Sequence, residues 1–390
     1  MTLELDDYQT LLEGVAPQLH DTLEGMFHEA ARQMSPAGLH NYLEAARGLA
    51  ELGRGSELVT TWLEEMPLVA REIGEDIIPD ALEAAMKLSS MTSGTVISLL
   101  FASMPIAAQR LGDIDLVRRY LQFVHQLCAK APRGLRPMFT HIDELLSKLT
   151  LGGLRRWADF GARAYRRDLT NLAAYFDLAT PDSVAMLRQQ RHGTLFIDVQ
   201  RKLNLFLRAF WARDFYLRPA EADTPGFRPF VDSRVLHLPD AVDDVGGITG
   251  LELFRATAAH CAAHLVYSPV AIDSQELSPA QMFFIGLIED ARVEHCAVAE
   301  FPGLGRLWRT LLSLEHDSAP EHPALVILEH AALMLRDPTV ETNDTELAAI
   351  IWQFHLQIVH NRDNPQFSWH LGLQLFNLFA ARREVPSLRI

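Results

Sequence analysis

The sequence is poor in cysteine: its 390 residues include only Cys128, Cys261 and Cys296, and no two of them form a C-x-x-C pair. An odd number of widely separated cysteines gives no disulfide framework and is typical of a chain in a reducing compartment. The first seven residues are acidic and contain no apolar run, so they predict no secretion signal. We therefore expect a cytoplasmic protein.

Long hydrophobic runs and a nucleotide-binding loop are also missing. The longest apolar stretches, such as residues 96–108, are interrupted by Ser and Pro and are too short to span a bilayer, so we expect no membrane insertion. The phosphate-binding pattern G-x-x-x-x-G-K-S/T does not occur, so any ATP hydrolysis is expected in a partner and not in this chain. The basic residues accompany no RNA- or DNA-binding motif, which argues against a nucleic-acid partner.

Charge is abundant but unevenly distributed. The composition is 48% hydrophobic and 22% charged, as in ordinary globular proteins, and the length suggests two or three domains. Residues 1–90 hold 17 acidic and 5 basic side chains (net −12), whereas residues 110–218 hold 19 basic and 10 acidic ones (net +9). This polarity fits either attraction between the two regions within one molecule or two docking faces for different partners.

Helix signals recur along nearly the whole sequence and predict a mostly α fold. Residues 7–34 carry an amphipathic stripe, and Ser35-Pro36 supplies an N-cap followed by Pro at the first helical position. Further helices are predicted to begin at Ser56, Met66-Pro67 and Ile78-Pro79. The prolines of residues 132–137 are predicted to interrupt another helix. We predict an acidic helical array, irregular or HEAT-like, over 1–150 and a second helical domain over 151–390.

A small β element is predicted within residues 212–250 of the second domain. Residues 215–219 and 229–240 read as short strands, and the second stretch alternates apolar and polar residues between turn signals. The predicted hairpin precedes two central helices, of which the second is capped by Ser278-Pro279.

The two central helices carry the candidate metal ligands. His260 and His264 are four residues apart and share one helix face, and Glu289 follows after 25 residues on a returning helix. Two His and a distal Glu are the ligands of gluzincin-type zinc sites. The Glu that would activate the metal-bound water is replaced by Cys261. We interpret the pair as a packed, degenerate zincin-like pair without catalysis; a structural zinc and a metal-dependent hydrolase at His260, His264 and Glu289 are the alternatives.

The returning helix also contains a set of charged residues that can pair with one another. Arg292 lies three residues after Glu289 and can form an intramolecular fork with its carboxylate. Asp290 and Glu294 are assigned to the same ion-pair network. This interpretation requires no ligand.

Four arginines are predicted to bind a partner. From residue 153 onward, Leu154, Trp157 and Tyr165 form an apolar face of one predicted helix. The polar face opposite contains Arg155, Arg156, Arg166 and Arg167. Such a cluster either solvates the helix and pairs with the acidic region, or steers a charged partner.

Several stretches, in order and at characteristic spacing, resemble the N-terminal helical portion of the NorD and CbbO group of von Willebrand factor A proteins. The similarity covers most of residues 35–380. The matching stretches are Gly153–Phe176, Arg191–Leu195, Arg228–Phe230, His237–Asp240, Ala259–His264, Ile288–Glu294 and Pro302–Leu304 with Leu307-Trp308.

The resemblance implies a partner and a task. Proteins of this group work with a MoxR-type hexameric AAA+ ATPase, CbbQ/NorQ-like, and their von Willebrand domain holds Mg²⁺ at a D-x-S-x-S site. That motif is absent here, and Ile272–Glu276 does not fit it, so we expect no such domain in this chain. The resemblance implies a non-catalytic adaptor in rubisco activation, by release of inhibitory sugar phosphates. Maturation of nitric oxide reductase is the alternative outcome, and a free-standing helical structural protein is a third class.

Overall fold

A computed structural model describes residues 20–191, 193–220, 228–268, 276–315 and 323–385. Within these residues the chain is 75% helical, with 18 α-helices and only small sheets, so the predicted mostly α fold is confirmed. The first part of the helix predicted over residues 7–34 lies outside the described residues. The chain divides into two units: Met1–Ile197 with Arg218–Phe227 and Pro239–Ala241, and Asp198–Leu217 with Arg228–Leu238 and Val242–Ile390.

The first unit is an array of eleven described helices around one apolar core, which includes Trp62, Phe101, Tyr120 and Trp157. The core extends to Leu187, so residues 151–197 pack with the first unit, and the division lies at Ile197 instead of residue 150. The helices are α1 (His20–Gln33), α2 (Pro36–Glu51), α3 (Ser56–Ile73), α4 (Ile78–Ser89), α5 (Gly94–Leu111), α6 (Ile114–Lys130), α7 (Pro132–Thr140), α8 (Ile142–Leu146), α9 (Leu151–Ala164), α10 (Leu169–Phe176) and α11 (Pro181–Gln190).

The described strands are short, and four of the five lie within residues 212–250, where the sequence predicts a β element, whereas the first precedes it. They are β1 (Thr194–Leu195), β2 (Tyr216–Ala220), β3 (Phe230–Asp232), β4 (Val235–Pro239) and β5 (Ala241–Val242), in sheets of order β1-β5 and β2-β4-β3. The stretch 229–240, predicted as a single strand, instead folds back on itself as β3 and β4, which are antiparallel with Phe230 opposite His237 and Asp232 opposite Val235.

The second unit is built on long helices that pack around Phe284, Phe354 and Leu375. Ser278 caps the second central helix through a capping box, as predicted, and Thr249 caps the first in the same way. The helices are α12 (Phe196–Trp211), α13 (Gly250–Tyr267), α14 (Pro279–Glu300), α15 (Pro302–Glu315), α16 (Pro323–Arg336), α17 (Thr345–Gln357) and α18 (Pro365–Ala381).

Two predicted helix boundaries at prolines are wrong. Helix α3 continues through Pro67, and α7 runs from Pro132 through Pro137. Proline has no N–H, so the carbonyl of Leu63, four residues before Pro67, loses its usual partner in the helix. The buried hydroxyl of Tyr42 donates to that carbonyl oxygen at 2.6 Å. A contact from α2 therefore allows α3 to continue.

Helix α5 is, among the described helices, the one that is long and apolar enough to cross a bilayer. In this structure 56% of it is buried inside the protein. Its buried side chains include Ile97, Phe101 and Met104, which belong to the core of the first unit. Length and composition alone do not separate such a core helix from a membrane span.

Candidate metal centre

The site forms where α13 and α14 pack against each other. His260 and His264 are one turn apart on α13, and Asp290 and Glu294 are one turn apart on α14. Side chains four residues apart lie on the same helix face, so the two pairs can meet across the helix contact. One helical turn of α13 and one of α14 are therefore enough to bring two imidazoles and two carboxylates together.

Three potential ligand atoms converge at the centre of this contact. The Nε2 atoms of His260 and His264 are 3.3 Å apart, and Asp290 Oδ1 lies 3.1 Å from His264 Nε2 and 3.7 Å from His260 Nε2. These atoms all lie within 4.8 Å of one another. The two rings are inclined at 72°, so they meet at their nitrogens and do not stack.

Glu294 holds the outer nitrogen of His260. Its Oε1 atom lies 2.9 Å from His260 Nδ1, and Arg336 of α16 donates to both carboxylate oxygens. A carboxylate accepts but cannot donate when ionised, so Nδ1 carries the proton and a neutral His260 would present its lone pair at Nε2. The tautomer that suits metal binding is therefore set by Glu294.

Glu289 does not join this cluster, which corrects the predicted ligand set. Its carboxylate accepts from Arg292 Nε at 2.8 Å and from Arg292 Nη2 at 2.5 Å, and Ser268 also donates to it. Residues 289 and 290 are adjacent, and one residue turns an α-helix by about 100°. Asp290 therefore faces α13 while Glu289 points toward the end of that helix. The predicted Arg292–Glu289 pair is confirmed, whereas Asp290 and Glu294 face the histidines and not Arg292.

The electrostatics of the cluster follow from burial and close opposite charge. Burial alone would lower the pKa of His260, but its interactions with the carboxylates of Asp290 and Glu294 outweigh burial and raise the pKa to about 10. For Asp290 and Glu294, burial opposes ionisation, yet the imidazoles, with Arg336 beside Glu294, hold both pKa values below the usual range. The two carboxylates thus favour the charged form of the His260 imidazole.

The groups that could act as a general base are occupied. Cys261 stands where a zinc peptidase has its Glu, and burial together with the charge of Asp290 raises the pKa of its thiol to about 12. Glu289 is bound by Arg292, and Glu294 is bound by His260 and Arg336. None of these three described groups is poised to deprotonate a water molecule.

The four predicted partner-binding arginines do not lie on one helix. Arg155 and Arg156 belong to α9, and Arg156 donates to Gln190. Helix α9 ends at Ala164, and the exposed Arg166 and Arg167 follow in the turn after it. The sequence pattern missed this end because Tyr165 continues the apolar spacing while Asp168 caps α10 instead.

No family model, curated protein or solved structure matches the chain. The resemblance drawn from the sequence therefore stays a prediction.

Proposed function

We propose that this chain is a non-catalytic adaptor that docks on a MoxR-type hexameric AAA+ ATPase, CbbQ/NorQ-like, and couples its ATP-driven motion to a target enzyme. The resemblance to the NorD and CbbO group supports the identity of the partner. The structural observation that carries a docking role is an apolar stripe on α17 and the 3₁₀ turn that follows it. Its members Trp352, Leu356 and Val359 have exposed fractions of 66%, 55% and 55%.

Helix α17 has apolar side chains on two faces. Leu347, Ile351 and Phe354 are buried in the core of the second unit, as expected for one side of a surface helix. The stripe lies on another face, because residues spaced by four and three recur on one side of a helix. Burial of one such side chain is worth about 1.5–3 kcal/mol, and exposed apolar patches mark protein interaction sites.

Trp352 also borders an open groove of about 700 Å³. Other walls of this groove come from Val340, Ala348 and Ile351, which are apolar. Tryptophan is the residue most enriched at the energetic centres of protein interfaces. A groove beside an exposed Trp suits an apolar side chain of the ATPase subunit.

The proposed outcome is rubisco activation by release of inhibitory sugar phosphates, with maturation of nitric oxide reductase as the alternative. A metal-dependent hydrolase at His260, His264 and Glu289 is disfavoured, because Glu289 is bound by Arg292. The two outcomes differ only in the target enzyme, so an activity assay with each target enzyme distinguishes them. The hexamer and this chain together should restore inhibited rubisco or activate nitric oxide reductase, and neither protein alone should do so.

Binding to the purified hexamer tests the proposal. The double variant Trp352→Ala/Leu356→Ala should raise the Kd about 30-fold, the equivalent of about 2 kcal/mol for the loss of a Trp-centred contact. The matched control is Leu205→Ala on α12, whose side chain is 60% exposed and should leave the Kd unchanged. Equal loss in both variants, or no hexamer binding by the wild type, would contradict the proposal.

A further inference from the structure

We propose that His260, His264 and Asp290 bind one divalent transition-metal ion, zinc by first choice, which fastens α13 to α14. The inference does not depend on the adaptor role. It departs from the expectation of a packed, metal-free pair because the structure adds Asp290 to the two histidines. Two imidazoles and one carboxylate are a ligand set that zinc and its first-row neighbours favour.

The separation of the three ligand atoms fits a tetrahedral ion. Zinc lies about 2.0–2.2 Å from nitrogen and oxygen ligands, so two ligands of a tetrahedral site are about 3.3–3.5 Å apart. The three distances here are 3.1, 3.3 and 3.7 Å. One ion can therefore contact all three atoms after shifts of a few tenths of an ångström.

The surroundings of His260 are those of a metal-bound histidine. Such histidines usually donate their other ring N–H to a carboxylate, which fixes the ring and makes the ligating nitrogen more basic. Here the carboxylate is Glu294, whose Oε1 lies 2.9 Å from His260 Nδ1, and Arg336 donates a hydrogen bond to Glu294. The chain thus provides a supporting carboxylate as well as the ligands.

Charge balance also favours a cation at this point. Arg336 compensates Glu294, whereas the contacts described for Asp290 are with the two imidazoles. Two Nε2 atoms at 3.3 Å cannot both present lone pairs to each other without a proton or a metal between them. A divalent ion satisfies both nitrogens and the carboxylate at once.

The fourth position of the ion is open to solvent. The side chains of His260, His264 and Asp290 are 27%, 25% and 39% exposed, so water can complete the coordination. Because Cys261, Glu289 and Glu294 are not poised as bases, the metal acts as a structural link between helices. Binding of an ion to the folded state alone raises the stability of the fold.

Zinc binding by the full-length chain tests the site. After removal of metal and addition of Zn²⁺, we expect one tightly held zinc per chain by metal analysis and calorimetry, with a raised Tm. Asp290→Asn and His264→Gln, close in size to the native side chains, should weaken binding at least 100-fold. Glu294→Gln should weaken it about 10–100-fold, as found for supporting carboxylates. The control His370→Gln alters an exposed histidine on α18 and should bind like the wild type.

Circular dichroism of each metal-free variant shows whether it is folded. If Asp290→Asn or His264→Gln does not fold, the visible absorption of the Co²⁺-loaded wild type tests the site instead. A tetrahedral Co²⁺ site gives intense d–d absorption. Failure of the wild type to bind Zn²⁺, unchanged binding in the folded ligand variants, or Co²⁺ without tetrahedral absorption would overturn the proposal.

Discussion

At the scale of single residues, Arg292 is a fully buried charge in the second unit. Its side chain is completely buried, and it donates to Glu289, to the carbonyl oxygens of Tyr267 and Arg362, and to Ser268. One guanidinium therefore connects α14, the end of α13 and the segment before α18. Burying such a charge is favourable only because each of these partners is present.

Arg292→Ala should lower the free energy of unfolding by about 3–5 kcal/mol, because it leaves the buried carboxylate of Glu289 without its cation. Chemical denaturation measures this loss. The control is Arg32→Ala, which removes an exposed pair with Glu29 and should cost at most about 1 kcal/mol. A loss near the control value would show that Glu289 finds another partner.

The candidate site could be predicted from sequence only in part. The His260–His264 face and the Arg292–Glu289 pair follow from helical spacing alone. The choice between Glu289 and Asp290 does not, because it depends on how α14 is rotated when Phe284 and Ile288 enter the core. The spacing of Asp290 and Glu294, which repeats that of the histidines, is the signal that would have indicated it.

At the scale of elements, α14 and α18 pack too closely for a side chain at one point. A Cβ atom at Gly372 would lie 2.5 Å from the Cα and 2.8 Å from the N of Ile285. Gly372→Ala should therefore force the helices apart and cost about 1–3 kcal/mol. Gly286 on α14 has nothing within 4 Å of its Cβ position, so Gly286→Ala should stabilise by about 0.5–1 kcal/mol. Thermal unfolding of the two variants should give Tm shifts of opposite sign.

The continuation of α3 through Pro67 shows why helix ends were harder to predict than helices. The local sequence contains Pro67, which normally ends a helix. The donor that replaces its missing N–H is the hydroxyl of Tyr42, which lies 21 residues before the acceptor Leu63. Apolar periodicity and capping residues are local, so they predict the starts of α2 and α4 well. A distant hydroxyl cannot be read from a window of a few residues.

Tyr42→Phe should cost about 1–3 kcal/mol, because it leaves the buried carbonyl of Leu63 without a donor. In a Pro67→Ala background the residue at 67 has its own N–H and can donate to that carbonyl. The same Tyr42→Phe change should then cost clearly less. A double-mutant cycle by urea denaturation measures the difference, and strict additivity would refute this explanation.

The pairing of α17 with α18 should weaken in acid. Asp344 caps α17 by accepting from the backbone of Leu347, and its hydrogen bond with Arg382, which directly follows α18, is the largest cause that lowers its pKa, to about 2. An unfolded Asp titrates at about 3.9. Because the folded pKa is lower, this stabilisation is complete above about pH 5 and is lost as pH falls toward 2.

Asp344→Asn keeps a good N-cap but removes this charge. The difference in Tm between wild type and variant should therefore be largest near pH 5 and should shrink toward pH 2. Thermal unfolding followed by circular dichroism at each pH gives this difference. A difference that is constant across the range would mean that the Asp344 charge does not stabilise the fold.

At the scale of the whole molecule, some charges of the acidic and basic regions pair with each other within the first unit. Arg118 pairs with Asp80 at 2.8 Å, which joins the basic region 110–218 to the acidic region 1–90. Other pairs of the acidic region are local, such as Lys87 with Glu83. Attraction within the molecule therefore accounts for part of this charge separation.

Reversal of Arg155, Arg156, Arg166 and Arg167 to Glu should slow association with the MoxR-type hexamer. The expected effect is largest at low salt and disappears near 0.5 M, where the Debye length is about 4 Å. Stopped-flow or surface-based kinetics across a salt series gives the association rate. The control reverses Arg306, Arg309, Arg362 and Arg383 in the second unit, which should change the association rate less. Equal rates for wild type and the first variant at every salt concentration would show that the four arginines only solvate the surface.

The two units are interleaved along the sequence, since the chain passes from one to the other after residues 197, 217, 227, 238 and 241. The first unit is thus complete only when Ala241 has been synthesised, although most of its helices leave the ribosome much earlier. Helix α12 likewise cannot pack into its own unit until α13 to α18 have been translated. During synthesis, apolar faces of both units are therefore exposed together, which is when a chaperone would be needed most. A protease cut or a gene truncation at residue 197 would likewise release neither unit whole.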